Sequence, residues 1–118
     1  MATTVSRIPL SGSTNGRGIK IAATATAGTL VHTGTSSATD CDVVTLYAHN
    51  SSGSAVNLTI EYGGVSSPDD LIILSIPAST GLTLVVPDLV IRNSLVVRAF
   101  AGTANVVMVH GFVNRVAS

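Results

Sequence analysis

The chain has 118 residues, 46% of them apolar and only 10% charged, and its six basic side chains balance six acidic ones. A soluble domain ordinarily has about a quarter of its residues charged, and colloidal stability usually rests on a net charge away from zero. The length suits one domain with a real core, the charge balance excludes a protein built to neutralise many phosphates, and the apolar runs are strand-sized rather than membrane-sized.

Val, Ile and Thr together supply 38 residues, whereas there is one Lys (Lys20), one Glu (Glu61) and no Gln. β-branched side chains are stiff at χ1 and suit a pleated surface better than a helix. The expected fold is therefore all-β, an antiparallel β-sandwich or jelly-roll-like barrel.

In chain order, residues 5–10 read as a short edge strand, because Pro9 removes a ladder donor. The break from Ser11 to Gly18 holds an Asn15-Gly16 turn signal. Strands are expected at about 18–24, 28–33 and 42–49, the last ending in the turn Asn50 to Ser54. Residues 55–62 alternate most cleanly. Val56, Leu58, Ile60 and Tyr62 fall on one face, and Asn57, Thr59 and Glu61 on the other, as in a half-buried antiparallel strand. After a loop at 63–70, strands at about 71–76 and 81–86 flank Pro77-Ala78-Ser79-Thr80. Two more follow at about 94–100 and 105–116. In the last, Val107, Val109 and Val113 share one face, and Val106, Met108, His110 and Phe112 share the other. A strand apolar on both faces is covered on both faces, either by a crossing loop or by another subunit. Eight or nine short strands at this spacing describe one sandwich domain, 18–118.

The segment 1–17 has two readings. It is either the first strand of the sandwich or an N-terminal arm that orders on a partner. Its apolar patch of Val5, Ile8 and Leu10 is small for folding alone, but it suits pairing with a neighbour's strand edge. Arg7 and Arg17 bracket that patch. The start of the chain lacks a basic stretch followed by an apolar one, so no secretory signal is expected.

Chemistry-bearing motifs are sparse. His32, His49 and His110 are far apart in sequence and form no metal-ligand spacing, so each is expected to satisfy a strand hydrogen bond. No nucleophile elbow or phosphate loop is present. Asp69-Asp70 is too small a ligand set for Ca²⁺ and reads as a turn whose carboxylates cap backbone amides. Cys41 has no second cysteine to pair with, and Asp40 and Asp42 flank it with charges that oppose a thiolate. Arg98, Arg92 and Arg115 are expected at the solvent face or paired across an interface. With four aromatic residues, Tyr47, Tyr62, Phe100 and Phe112, base stacking has little to work with. No enzymatic activity, cofactor, metal, nucleic acid or membrane is expected.

Three segments carry a resemblance: Leu58 to Gly64 followed by Ser67-Pro68-Asp69-Asp70; Ile76-Pro77-Ala78; and Asn93 to Phe100 continuing through Asn105 to Gly111-Phe112-Val113-Asn114-Arg115. Together they look like small virion proteins of tailed bacteriophages, the capsid decoration or cement proteins, over about half of the chain. That resemblance implies a non-enzymatic protein on the outside of an assembled shell. It would be made in the bacterial cytoplasm, bind the major capsid protein and form a homo-oligomer, a trimer in the first instance. The candidate interface is Val5, Arg7, Ile8, Leu10, Arg17, Met108, His110 and Phe112. Two alternatives stay open: another virion part such as a tail-tube or head–tail connector subunit, and a small receptor- or carbohydrate-binding sandwich. The absence of Trp counts against the second.

Overall fold

A computed structural model describes residues 3–117 as nine strands and, within that span, no helix. They are β1 (Thr4–Pro9), β2 (Ile19–Lys20), β3 (Thr29–Thr33), β4 (Cys41–Asn50), β5 (Val56–Tyr62), β6 (Leu71–Ile76), β7 (Thr83–Ile91), β8 (Val96–Ala101) and β9 (Val107–Ala117). One sheet has the order β1-β9-β4-β7, with β2 also paired to β9, and the other has the order β3-β8-β5-β6. Every ladder between named strands is antiparallel. The two sheets pack face to face as a β-sandwich, as the composition predicts.

The core lies between the sheets. Val44, Leu46 and Ala48 of β4, Val107, Val109 and Val113 of β9, Leu58 and Ile60 of β5, and Val97, Ala99 and Ala101 of β8 are all buried. The spacing of two along each strand is the pleat at work. Fully burying a Val, Leu or Ile is worth about 1.5–3 kcal/mol, so this alternation sets register as well as stability.

The N-terminal segment is not an arm. β1 pairs with β9 over six residues, from Thr4 opposite Ala117 to Pro9 opposite Phe112. Ile8 packs against the core, and Leu10 retains only 2% of its exposure. The patch judged too small to fold alone has no need to, because the long strand β9 supplies its partner. Pro9 sits at the end of β1, where a missing donor is tolerated. Residues 1, 2 and 118, included in the arm and domain boundaries expected from sequence, lie outside the described residues.

Two strands depart most from their expected bounds. The strand expected at 18–24 shrinks to Ile19–Lys20, although Ile21 still donates its N–H to the Val107 carbonyl at 2.9 Å. β7 continues past 86 to Ile91, through Pro87. It can do so because its register against β4 shifts between Val44 and Tyr47, and Asp88 there adopts φ 47°. Bulges on an edge strand accommodate proline. The Asn15-Gly16 turn forms as expected, with φ 54° and 87° and the Arg17 N–H on the Thr14 carbonyl at 3.0 Å. Two consecutive positive φ values are what that pair adopts readily.

β5 departs from the half-buried reading. Its inner face is as expected, but Thr59 and Glu61 on the outer face are also buried. Glu61 accepts hydrogen bonds from the Thr26 hydroxyl at 2.5 Å and the Gly28 amide at 2.7 Å. The segment between β2 and β3 thus covers this part of the outer face, and a buried carboxylate holds it. Arg98, opposite Glu61 on β8, donates to the Gly28 carbonyl at 3.4 Å.

Candidate functional site

The buried polar centre of the molecule is Asp42. Its side chain is wholly shielded, yet it accepts from Arg115 Nε at 2.7 Å and Nη2 at 2.9 Å, from His32 Nε2 at 2.8 Å and from the Thr35 amide at 3.0 Å. Burial by itself would push the carboxyl up. The bonds from Arg115 and His32, with the charge of Arg115, outweigh it and hold the group below its ordinary value. Arg115 is raised in turn, chiefly by its bond to Asp42. Burial raises the Tyr62 hydroxyl, and the charge of Asp42 adds to that; the hydroxyl donates to the Leu89 carbonyl at 2.8 Å.

Ser11, His32 and Asp42 have the composition of a hydrolytic triad but not its geometry. His32 Nδ1 accepts the backbone N–H of Ser11 at 3.0 Å, which leaves Nε2 as the protonated nitrogen facing Asp42. The Ser11 hydroxyl accepts from the Thr33 amide at 2.7 Å. A nucleophile needs its own oxygen on the imidazole. Here His32 instead ties the segment after β1 to β3 and β4. Arg115, expected at the surface or across an interface, is bound inside the same chain. Arg92 likewise stays within the chain, donating to the Ala38 carbonyl at 3.1 Å.

The other sequence-level candidates fall into place around this frame. His49 Nδ1 lies 3.3 Å from the Gly81 carbonyl, and the His110 ring packs against Gly18, where a Cβ would collide with it. Asp70 caps the Ser66 amide at 3.1 Å, as the turn reading predicts. Cys41 is a free, half-buried thiol. Among the described residues, no group of three His, Cys, Asp or Glu side chains is placed to hold a metal ion, and no helix is long and apolar enough to cross a membrane.

The structure splits the candidate interface in two. Ile8 and Leu10 belong to the interior. Val5, Arg7, Met108, His110 and Phe112 share the outer face of the β1-β9-β4-β7 sheet, because their register partners alternate with the buried ones. Arg17 joins them from the 12–20 segment, where it lines a hollow of about 200 Å³ with Gly18 and Lys20.

A larger groove of about 430 Å³ crosses this outer face. β1 contributes Arg7, β9 contributes Phe112 and Asn114, β4 contributes Thr45 and Tyr47, and β7 contributes Leu84, Pro87 and Asp88. The Arg7 guanidinium lies 4.3 Å from the Phe112 ring centroid, and its Nε donates to Asn114 Oδ1 at 3.1 Å. At the opposite rim, Asp88 accepts from the Thr45 hydroxyl at 2.9 Å. Reading the sequence missed Tyr47, Leu84, Asp88 and Asn114 as neighbours. The signal that bore on them was Pro87-Asp88, a turn pair inside an apolar run.

β6 and β7 follow one another in the chain, and each lies at one edge of its sheet. Five large hydrophobic residues between Ile73 and Val90 are exposed: Ile73 62%, Leu82 57%, Leu84 49%, Leu89 37% and Val90 52%. β6 (LIILSI) carries neither a charge nor a proline, the usual protections of an open edge.

The fold and these surfaces define an all-β sandwich with a buried, ion-paired polar centre and exposed large hydrophobic residues on and beside its β6 and β7 edges. Comparison adds nothing to that description: no protein-family model, no curated protein and no solved structure matches the chain.

Proposed function

We propose that this chain is a non-enzymatic virion structural protein, a decoration or cement subunit that binds the outer surface of a phage capsid through the major capsid protein and stabilises the head. The observation that carries the reading is the set of exposed large hydrophobic residues on and beside the edge strands β6 and β7 of a chain with no net charge. A free monomer rarely leaves such an edge open. A subunit packed among many copies on a shell covers it, and repeated weak contacts then add up to firm attachment. The resemblance of Leu58 to Asp70 and of Asn93 to Arg115 to phage decoration proteins supports the same reading, with self-association into a trimer and a location on the capsid surface.

The test is electron microscopy of phage heads lacking decoration, incubated with the purified protein and washed. The reading expects added density at regular positions on the outer shell, and heads that resist heating better than untreated ones. Absence of retained protein, or density confined to the tail or the connector, overturns it in favour of another virion component.

The carbohydrate-binding alternative gains one observation, since Tyr47 and Phe112 meet in the groove. The Phe112 face is already covered by Arg7, however, which leaves Tyr47 as the one aromatic platform there.

A further inference from the structure

We infer that the groove on the outer face is a receptor for a second copy of this chain, and that the segment it receives is the Val65–Asp69 loop between β5 and β6. The inference deepens the self-association in the reading above and depends on the shell for nothing.

It begins with the carboxylates. Among the described residues, Asp42, Glu61, Asp70 and Asp88 each accept a hydrogen bond from within the chain, and Asp40 acts on Arg115. Asp69 is exposed and has no such partner. It sits at the end of a fully exposed stretch that also carries Val65, 45% exposed, and the Ser66 and Ser67 hydroxyls. The loop is pinned at its base, where Asp70 binds Ser66 through both main chain and side chain. Little ordering would be lost when it docks.

The groove matches that loop in charge and polarity. Arg7 is exposed, stacked on Phe112 and held by Asn114 through Nε, while its two terminal nitrogens have no partner among the described residues. A guanidinium fixed in this way presents a ready fork to a carboxylate. Arg17 and Lys20 are also free cations, but their hollow is smaller and neither is stacked in place. Tyr47 and Leu84 offer Val65 an apolar floor. Asp88, on the β7 rim, already accepts from the Thr45 hydroxyl and has a second carboxylate oxygen left to accept a loop hydroxyl from Ser66 or Ser67.

The donor loop stands at the end of the sandwich, whereas the receptor groove lies on a sheet face. The contact joins two different patches, so it either is reciprocated in a two-fold dimer or, left unreciprocated, forms a ring when the rotation between neighbours closes.

The experiment uses the purified full chain in solution, with no shell present, and reads mass by analytical ultracentrifugation across a concentration series. The wild type is expected to form a closed oligomer. Arg7→Asp and Asp69→Arg should each weaken it at least tenfold, and the double variant, with the charges exchanged, should regain it. Lys20→Asp, at an exposed cation outside the groove, serves as a control that leaves association unchanged. Circular dichroism establishes that each variant is folded; should Arg7→Asp not fold, Asp69→Arg tested against Arg7→Glu replaces it. A wild type that stays monomeric at millimolar concentration overturns the inference, as does undiminished association in the folded single variants or a double variant that fails to recover. Loss of shell binding with an intact oligomer would count against the capsid reading alone.

Discussion

Asp42 and Arg115 stand directly opposite each other in the central β4–β9 ladder and close a bidentate ion pair at 2.7 and 2.9 Å, with the carboxylate shielded from solvent and the guanidinium 39% exposed. Removing one member of a buried pair costs about 3–5 kcal/mol because the other is left uncompensated. The partial exposure of Arg115 lets water take over some of that role. Asp42→Ala should therefore lie toward the lower end, about 3 kcal/mol, and it also strands His32 Nε2–H and the Thr35 amide. Urea denaturation of the variant and the wild type measures the difference.

The same pair fixes the response to acid. The carboxyl of Asp42 is lower in the folded protein than in the unfolded chain, so the unfolded state binds the proton more readily. Its contribution is complete above the unfolded value, about 3.9, and is lost as pH falls through the lower folded value. Melting temperature should fall as pH drops below about 4, and the fall should be shallower in Asp42→Asn. A wild-type melting temperature that is flat from pH 5 to pH 2 would contradict the assignment.

Glu61 anchors the segment between β2 and β3 through Thr26 and Gly28. Glu61→Ala leaves the buried Gly28 amide without its acceptor, a loss of about 1–3 kcal/mol. Limited proteolysis should then cut near residues 24–28 first, while the wild type resists there. Glu61→Gln keeps an acceptor for the amide and should fall between the two.

Gly111 lets β4 and β9 approach closely. A methyl group at this position would meet the Thr45 carbonyl oxygen, which belongs to backbone and cannot swing away. Gly111→Ala should destabilise the fold by about 1–3 kcal/mol, the usual cost of overpacking. An unchanged thermal midpoint would show that the ladder is looser than described.

Deletion of residues 1–10 removes β1 and, with it, Ile8 and Leu10 from the core. The melting temperature should drop sharply, by well over the ~4–8 °C that one kcal/mol represents in a small domain. A truncated chain with an unchanged melting temperature would return the segment to the status of an arm.

Composition and alternation by themselves determined the class of fold. A chain so rich in Val, Ile and Thr and so poor in helix formers has little choice but strands, and the period-two burial of β4, β8 and β9 follows from the pleat. The two faces of β9 and the cap at Asp70 were legible for the same reason: both are local. What sequence could not settle was anything that depends on a partner distant in the chain. Arm or strand was open for residues 4–9 because the answer lay in β9, more than a hundred residues away. Glu61 read as a solvent-facing residue because the loop that buries it is 33 to 35 positions earlier. Asp42, His32 and Arg115 looked like a scattered thiol neighbour, a lone histidine and a surface cation until the ladder brought them together. The groove joins four strands that are consecutive in space but lie at 7, 45–47, 84–88 and 112–114 in the chain. Local propensity carries no information about such pairings. They are decided by which sheet order buries the most apolar surface with every buried polar group satisfied.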